Sequence, residues 1–429
     1  MEMNRIFYTA LLTMFASSLS MNAQEEIEKT DIEKLEERTS NIENKLTILE
    51  KLKVSGYIQT QYQHGEEDAS LKVGAANETA KSEDKEAFDR FGIRRGRIKF
   101  TYTEGIASGV FQLDITEKGV GIKDAYLSIK DPWINRCAIQ AGVFDRPFGY
   151  EIGYSSSKRE SPERSTLFQT LFPDERDLGV ALILTPKKES AFSFLKLTTG
   201  LFAGNGIKQD TKSLRDFIGH LEASKTIGSN AKWGLGASYY LGGVFQGDKS
   251  VYEMDGKSFR VDSSESNLGE YAKRQYFGVD GRFEVESPIG TTKLTAEYIW
   301  GQQPGTAGSS KSPNGPIENA PTYIRNFAGY YFMLVQNIGT SPFSLVGKYD
   351  CYDANTDLSG DEIGAANSNT GKTDLLKTTI GVGALWRINN ALKLTAYYDI
   401  NKNEKSENVK GYEDDLKDDL FTLRLQYKF

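Results

Sequence analysis

The last nine residues constrain the fold more tightly than any other stretch: Phe421, Leu423, Leu425, Tyr427 and Phe429 alternate with Thr422, Arg424, Gln426 and Lys428. A period of two puts successive side chains on opposite faces of a strand, so one face is apolar and the other polar. The edge of a soluble sandwich can alternate too, but that origin fits poorly with a chain that stops on the strand's final aromatic. The pattern also recurs about sixteen times, in runs of roughly the 9 to 11 residues that a tilted membrane-crossing strand needs. The runs lie near residues 53–63, 91–103, 108–117, 121–130, 136–145, 178–186, 195–204 and 216–226. The second half continues with 231–241, 275–286, 291–301, 324–338, 342–353, 375–388, 391–401 and 418–429.

The connections alternate in length. Those at 104–107, 131–135, 228–230, 287–290, 339–341 and 389–390 are short, whereas 64–90, 146–177, 242–274, 302–323, 354–374 and 402–417 are long and polar. Outer-membrane barrels pair short periplasmic turns with long outer loops. The predicted fold class is therefore all-β, a transmembrane antiparallel β-barrel of about 16 strands over residues 53–429, with both chain ends in the periplasm. Composition agrees. Hydrophobic residues are only 38%, and no stretch beyond the N-terminus approaches the roughly 20 apolar residues of a membrane helix. With 22 Tyr, 23 Phe, 41 Gly and only 11 Pro, the chain suits aromatic-rich strands and tight turns. The net charge of -7 has to be divided between lumen and loops before it says anything about partners.

At the N-terminus, Arg5 precedes an apolar run from Ile6 to Ala16, and small and polar residues follow; this predicts a signal peptide over residues 1–23. In residues 24–52, Ile32, Leu35, Thr39, Ile42, Leu46 and Leu49 recur at alternating spacings of three and four among Glu and Lys. That is a heptad seam, which packs either singly on the barrel or against copies of itself. So narrow a stripe favours a periplasmic coiled coil.

Cys137 and Cys351 fall on runs expected far apart on the wall, which predicts free thiols. His64 and His220 are too few for a His-rich metal site, and no Ser stands out as a partner for His220, so neither catalysis nor a cofactor or metal is expected. Asp353, Asn355, Asp357, Asp361 and Glu362 crowd one long loop but lack the Gly and Glu spacing of a standard calcium loop; a solvated acidic loop is expected.

The charged residues of the expected lumen carry the functional argument. Ile98, Phe100 and Tyr102 share the lipid-facing phase, which turns Arg95, Arg97 and Lys99 towards water. Such a row draws anions into a low-dielectric passage, and guanidinium forks match phosphate oxygens. The alternatives are a periplasm-proximal surface patch and neutralisation by Asp114 and Glu117 on the neighbouring strand. The 146–177 connection carries Arg146, Lys158, Arg159, Arg164 and Arg176 among many carboxylates, together with Phe148, Phe168, Leu171 and Phe172. A solvated loop does not need that apolar bulk, whereas a loop folded inward as a constriction does.

An ordered set of short motifs spans most of residues 53–429: Arg94-Arg95-x-Arg97, Gly142-Val143-Phe144 leading to Pro147-Phe148-Gly149, Glu163-Arg164-Ser165, and Arg176-Asp177-Leu178-Gly179-Val180. Gly204-Asn205-Gly206, Gly278-Val279-Asp280, Ala296-Glu297-Tyr298 and Tyr349-Asp350 continue it. The set resembles the phosphate-selective porins O and P and their Bacteroidetes relatives. The resemblance implies a sixteen-stranded homotrimeric barrel in a Gram-negative outer membrane, surrounded by lipid, whose inward bases bind small anions such as phosphate or polyphosphate. Arg95, Arg97, Arg146, Arg164 and Arg176 match its basic positions, and Lys99 continues the row. No nucleic acid is implied. The alternatives are a general or sugar-permeable pore and a structural barrel tethered by its coiled coil. Because the aromatic residues fall mostly in lipid phase or in loops, anions are favoured over sugars.

Overall fold

A computed structural model describes residues 33–43, 50–75, 86–134 and 136–429. The chain divides into two units, 1–53 and 54–429. In the first, residues 33–43 are helical, with Leu35 and Ile42 exposed. The expected signal peptide, and the seam residues Ile32, Leu46 and Leu49, lie outside the described residues.

The second unit is one closed sheet. Its strands are β1 (Leu52–Gly65), β2 (Phe88–Glu104), β3 (Ala107–Thr116), β4 (Gly119–Lys130), β5 (Cys137–Asp145), β6 (Arg176–Leu184), β7 (Leu195–Phe202), β8 (Asp216–Ile227) and β9 (Ala231–Phe245). After them come β10 (Val251–Asp255), β11 (Ser258–Asp262), β12 (Tyr271–Ser287), β13 (Gly290–Gly305), β14 (Thr322–Asn337), β15 (Phe343–Asp353), β16 (Lys377–Arg387), β17 (Leu392–Asn403) and β18 (Leu420–Lys428). Each wall strand pairs antiparallel with its sequence neighbour, β9 passes directly to β12, and β1 pairs with β18. Strands β10 and β11 form a hairpin outside this circuit, so the barrel wall has sixteen strands. The ring is sealed where Gly56 and Phe429 exchange backbone hydrogen bonds of 3.0 Å.

The period-two pattern becomes two surfaces. Outward residues such as Leu127, Val180, Leu235, Phe332 and Leu425 are exposed, while their inward neighbours are buried or half-buried. A closed barrel satisfies every wall N–H and C=O, which is what permits strands to cross hydrocarbon. No described helix is long and apolar enough to cross a membrane. Short turns gather at one end, helped by positive φ at Gly228 and Gly339, and the long connections gather at the other. Val279, near the middle of β12, faces outward. Val279→Arg is expected to destabilise the membrane-embedded barrel by about 2–4 kcal/mol, read as a reduced folded fraction in vesicle folding titrations; unchanged folding would mean that this face does not meet hydrocarbon.

The hairpin β10–β11 was not foreseen. It pairs parallel with the start of β14, with Tyr252 stacked on Tyr323 at 4.3 Å. The acidic 354–376 loop, expected to be solvated, is instead partly packed: Leu358, Ile363 and Leu375 are buried with Val409 of the next long loop. Its carboxylates tie loops together, Glu362 to Lys257 at 2.8 Å and Asp357 to the Asn326 amide at 3.0 Å. Among the described residues no group of His, Cys, Asp or Glu is placed to hold a metal ion. Cys137 and Cys351 are free thiols, as predicted.

Candidate functional site

The connection between β5 and β6 does not project from the barrel. It crosses the interior, and its apolar residues form the centre of the largest buried cluster. Phe148, Leu167, Phe168, Leu171 and Phe172 pack against Ile218 of β8, Tyr240 of β9, Tyr276 of β12, Ile299 of β13, and Phe327 and Tyr331 of β14. Phe172 lies 5.0 Å from Phe148, 5.7 Å from Phe168 and 5.8 Å from Tyr276, ring centre to ring centre. Gly278 makes room on the wall, since a Cβ there would come within 2.8 Å of the Phe148 ring. A short helix, Thr166–Leu171, carries three of these anchors, Leu167, Phe168 and Leu171. The apolar bulk noted in the sequence thus serves an inward loop.

Polar ties fix the rest of the loop. Glu297 on β13 accepts from the backbone N–H of Tyr150 (2.8 Å) and Glu151 (2.7 Å) and from the Tyr331 hydroxyl (2.6 Å). Glu151 accepts from the Ser165 hydroxyl at 2.6 Å and pairs with Lys348 of β15 at 3.3 Å. On the opposite wall, Glu163 binds Arg94 (2.8 Å), Arg95 (2.9 Å) and Arg424 (2.7 Å), so β2 and β18 hold the loop through one carboxylate. Burial alone would raise the Glu163 carboxyl, but these three guanidinium groups hold it well below the usual carboxylate range. At the loop's exit, Asp174 and Glu175 both adopt positive φ, a strained geometry for non-glycine residues; Glu175 is held there by Arg164, Arg176 and Lys123.

Each of the five arginines taken as site residues, Arg95, Arg97, Arg146, Arg164 and Arg176, lies in or beside this lumen and is matched by a carboxylate. Arg95 meets Glu163; Arg97 meets Asp114 at 3.1 Å; Arg146 meets Asp177 at 3.5 Å; Arg176 meets Asp124 at 2.9 Å and Asp145 at 2.8 Å; Arg164 meets Glu175 and donates to the Glu151 and Ile152 carbonyls. Of the readings of the β2 row, neutralisation therefore describes Arg97, through Asp114. Glu117 instead accepts from the Ile93 and Gly74 backbone N–H groups. Lys99 is half-buried and has no carboxylate within ion-pairing distance among the described residues.

Other bases remain unmatched. Two adjoining cavities beside the inward loop, at the long-loop end, share Thr166 and Lys377. Lys72, Lys311, Lys372 and Lys377 line them, close enough to repel one another. None of the four ammonium groups has an ion pair among the described residues. Asp350, Asp399 and Asp418 share the first of these cavities. Arg159, buried on the loop near Arg95, has no hydrogen-bond partner for any guanidinium nitrogen. None of these bases had been singled out as a site residue; the four lysines come from separate connections or strand ends, and their convergence is a property of the fold. Across the described residues, eleven buried Lys or Arg face nine buried Asp or Glu. Among the buried side chains alone the balance is thus two positive, although the whole chain carries 59 acidic and 52 basic residues.

Fold and site together define a transmembrane barrel with an inward loop and a charged lumen. No protein-family model matches the chain, and no curated protein matches it. Solved structures do. The chain is similar to an anion-selective porin from Comamonas acidovorans (11% identity, TM-score 0.50, covering 88% of this chain and 99% of that one). It is also similar to Pseudomonas putida OprB (10%, 0.52, 90% and 96%) and Salmonella typhi OmpF (13%, 0.52, 88% and 97%). At such identities the likeness is one of fold: a porin-like barrel.

Proposed function

We propose that this protein is an outer-membrane porin through which small anions, phosphate among them, diffuse passively. The observation that carries the reading is the group of four lysines, Lys72, Lys311, Lys372 and Lys377, free of ion pairs at the entrance to the lumen. Unpaired cations in a water-filled, low-dielectric cleft concentrate anions at the mouth, whereas the matched arginines deeper inside fix the loop. Asp350, Asp399 and Asp418 offset part of the effect, so the expected preference is modest. The long-loop end would face outward and the short-turn end the periplasm, with residues 24–52 forming a coiled coil there.

A homotrimer is part of the same proposal. Strands β5, β6 and β7 have only 9, 9 and 8 residues, against 17, 16 and 16 for β12, β13 and β14. No aromatic side chain points outward from β4–β7; Tyr126, Phe144 and Phe202 all face in. Exposed aromatics on this side are confined to the short turns, at Trp133 and Phe192, so the low wall lacks the second girdle that a lipid-facing wall carries and suits contact with another copy.

Reversal potentials in planar bilayers under a salt gradient test the selectivity, with chloride and then phosphate as the anion. The wild type should prefer anions, and replacing all four lysines by Gln should bring the preference to parity or reverse it. Cation preference in the wild type would overturn the proposal.

A further inference from the structure

Two further cavities, of ≈ 330 and ≈ 390 Å³, meet beside the start of the inward loop, where both are lined by Tyr150, Tyr154, Glu222 and Arg282. The tyrosine rings stack with centres 5.1 Å apart. Arg282 sits 4.3 Å from the Tyr150 ring centre and donates to Glu222 at 2.6 Å.

The wall behind them is built around a glycine. The register of β8, β9 and β12 sets Glu222, Gly236 and Asp280 side by side. A Cβ at Gly236 would overlap the Asp280 carboxylate and His220 Nε2, so the missing side chain lets Asp280 and His220 lean across the strand between them. They approach to 3.2 Å without the alignment of a hydrogen bond. Both Asp280 oxygens, His220 Nε2 and Arg282 Nε are buried with no hydrogen-bond partner among the described residues. Such atoms are rarely left unsatisfied; His220 and Arg282 line the cavities, and Asp280 lies behind them, 3.8 Å from Arg282 Nε.

We propose that these cavities form a binding subsite for a hydroxylated ring solute of monosaccharide size carrying one anionic group. The anionic part rests on the channel reading above; the ring and its hydroxyls rest on this site alone. In the lining itself, His220 Nε2 and Arg282 Nε are without partners and stand beside the Glu222 carboxylate, and a hydroxyl group can both donate to and accept from such a set. A bare inorganic anion offers acceptors only and would face Asp280 and Glu222. The stacked tyrosines supply a flat apolar edge against which a pyranose can lie, and the cavities are at the small end of ligand-sized pockets.

Single-channel currents test this, using glucose 6-phosphate, glucose and inorganic phosphate as probes in the same salt. Glucose 6-phosphate should cause transient blockades, glucose shorter ones, and inorganic phosphate none. Tyr154→Ala should shorten the blockades about fivefold, and Glu222→Gln should shorten them too, each read against that variant's own open-channel current. Blockades no different from those with inorganic phosphate, or unaltered in both variants, would overturn the subsite. Glucose blockades in a channel without anion preference would uphold the subsite and overturn the channel reading, so the two failures are distinguishable.

Discussion

Glu163→Gln is expected to loosen the inward loop, increase the conductance of the channel and shift its ion selectivity towards anions. The glutamine keeps the shape but removes the charge that Arg94, Arg95 and Arg424 share. Deleting one partner of a buried ion pair costs about 3–5 kcal/mol because the remaining charges stay buried without compensation. Here three cations are stranded, and they face the lumen. The pH dependence has a definite sign. A carboxyl held below its unfolded value, about 4.3 for Glu, contributes stability above that pH and loses it as the pH falls towards the folded value. The gap in thermal midpoint between wild type and variant should therefore hold from neutral pH through pH 5 and narrow only below about pH 4.3. Equal midpoints at pH 7 would show that Glu163 does not latch the loop.

Phe172→Ala should act on the same loop from the other side of the lumen. The ring is fully buried and touches Phe148, Phe168, Tyr240 and Tyr276. Truncating a core Phe to Ala costs about 3–5 kcal/mol, and the loss falls on the loop's docking, since the wall is held by its own hydrogen-bond ladder. The expected result is a barrel that still resists unfolding in detergent but has larger, noisier single-channel currents. Currents and thermal midpoint matching the wild type would mean that the aromatic cluster does not position the loop.

The wall was legible because one period does two jobs: it names the strand and assigns its faces. All sixteen wall strands lie where the alternation puts them, and Phe421 to Tyr427 keep their outward phase. The alternation does not say how far a ladder continues above the membrane. That is why β12 to β14 outrun their apolar segments and why β10–β11, a hairpin riding on β14, went unseen. The inward loop was legible from Phe148, Phe168, Leu171 and Phe172, which water would not tolerate in such number. Its partners were not. Period two turns Arg95 and Arg97 inward but cannot say that Glu163, 68 positions away from Arg95 in the chain, will arrive opposite. Nor can it bring Lys72 and Lys311 to one entrance. Which cations are neutralised and which remain free is decided by loop packing, and that information is distributed over hundreds of residues.

The pairing of β1 with β18 also bears on how the barrel forms. These are the wall strands furthest apart in the chain, and until they meet each presents a row of unpaired N–H and C=O groups. Every intermediate built strand by strand from one end therefore has two adhesive edges, and contacts of such sequence separation form slowly. The chain must be kept from joining its neighbours edge to edge during that interval. Closure of the β1–β18 seam is thus expected to be the late, committing step of assembly, after which no edge remains for a wrong partner to find.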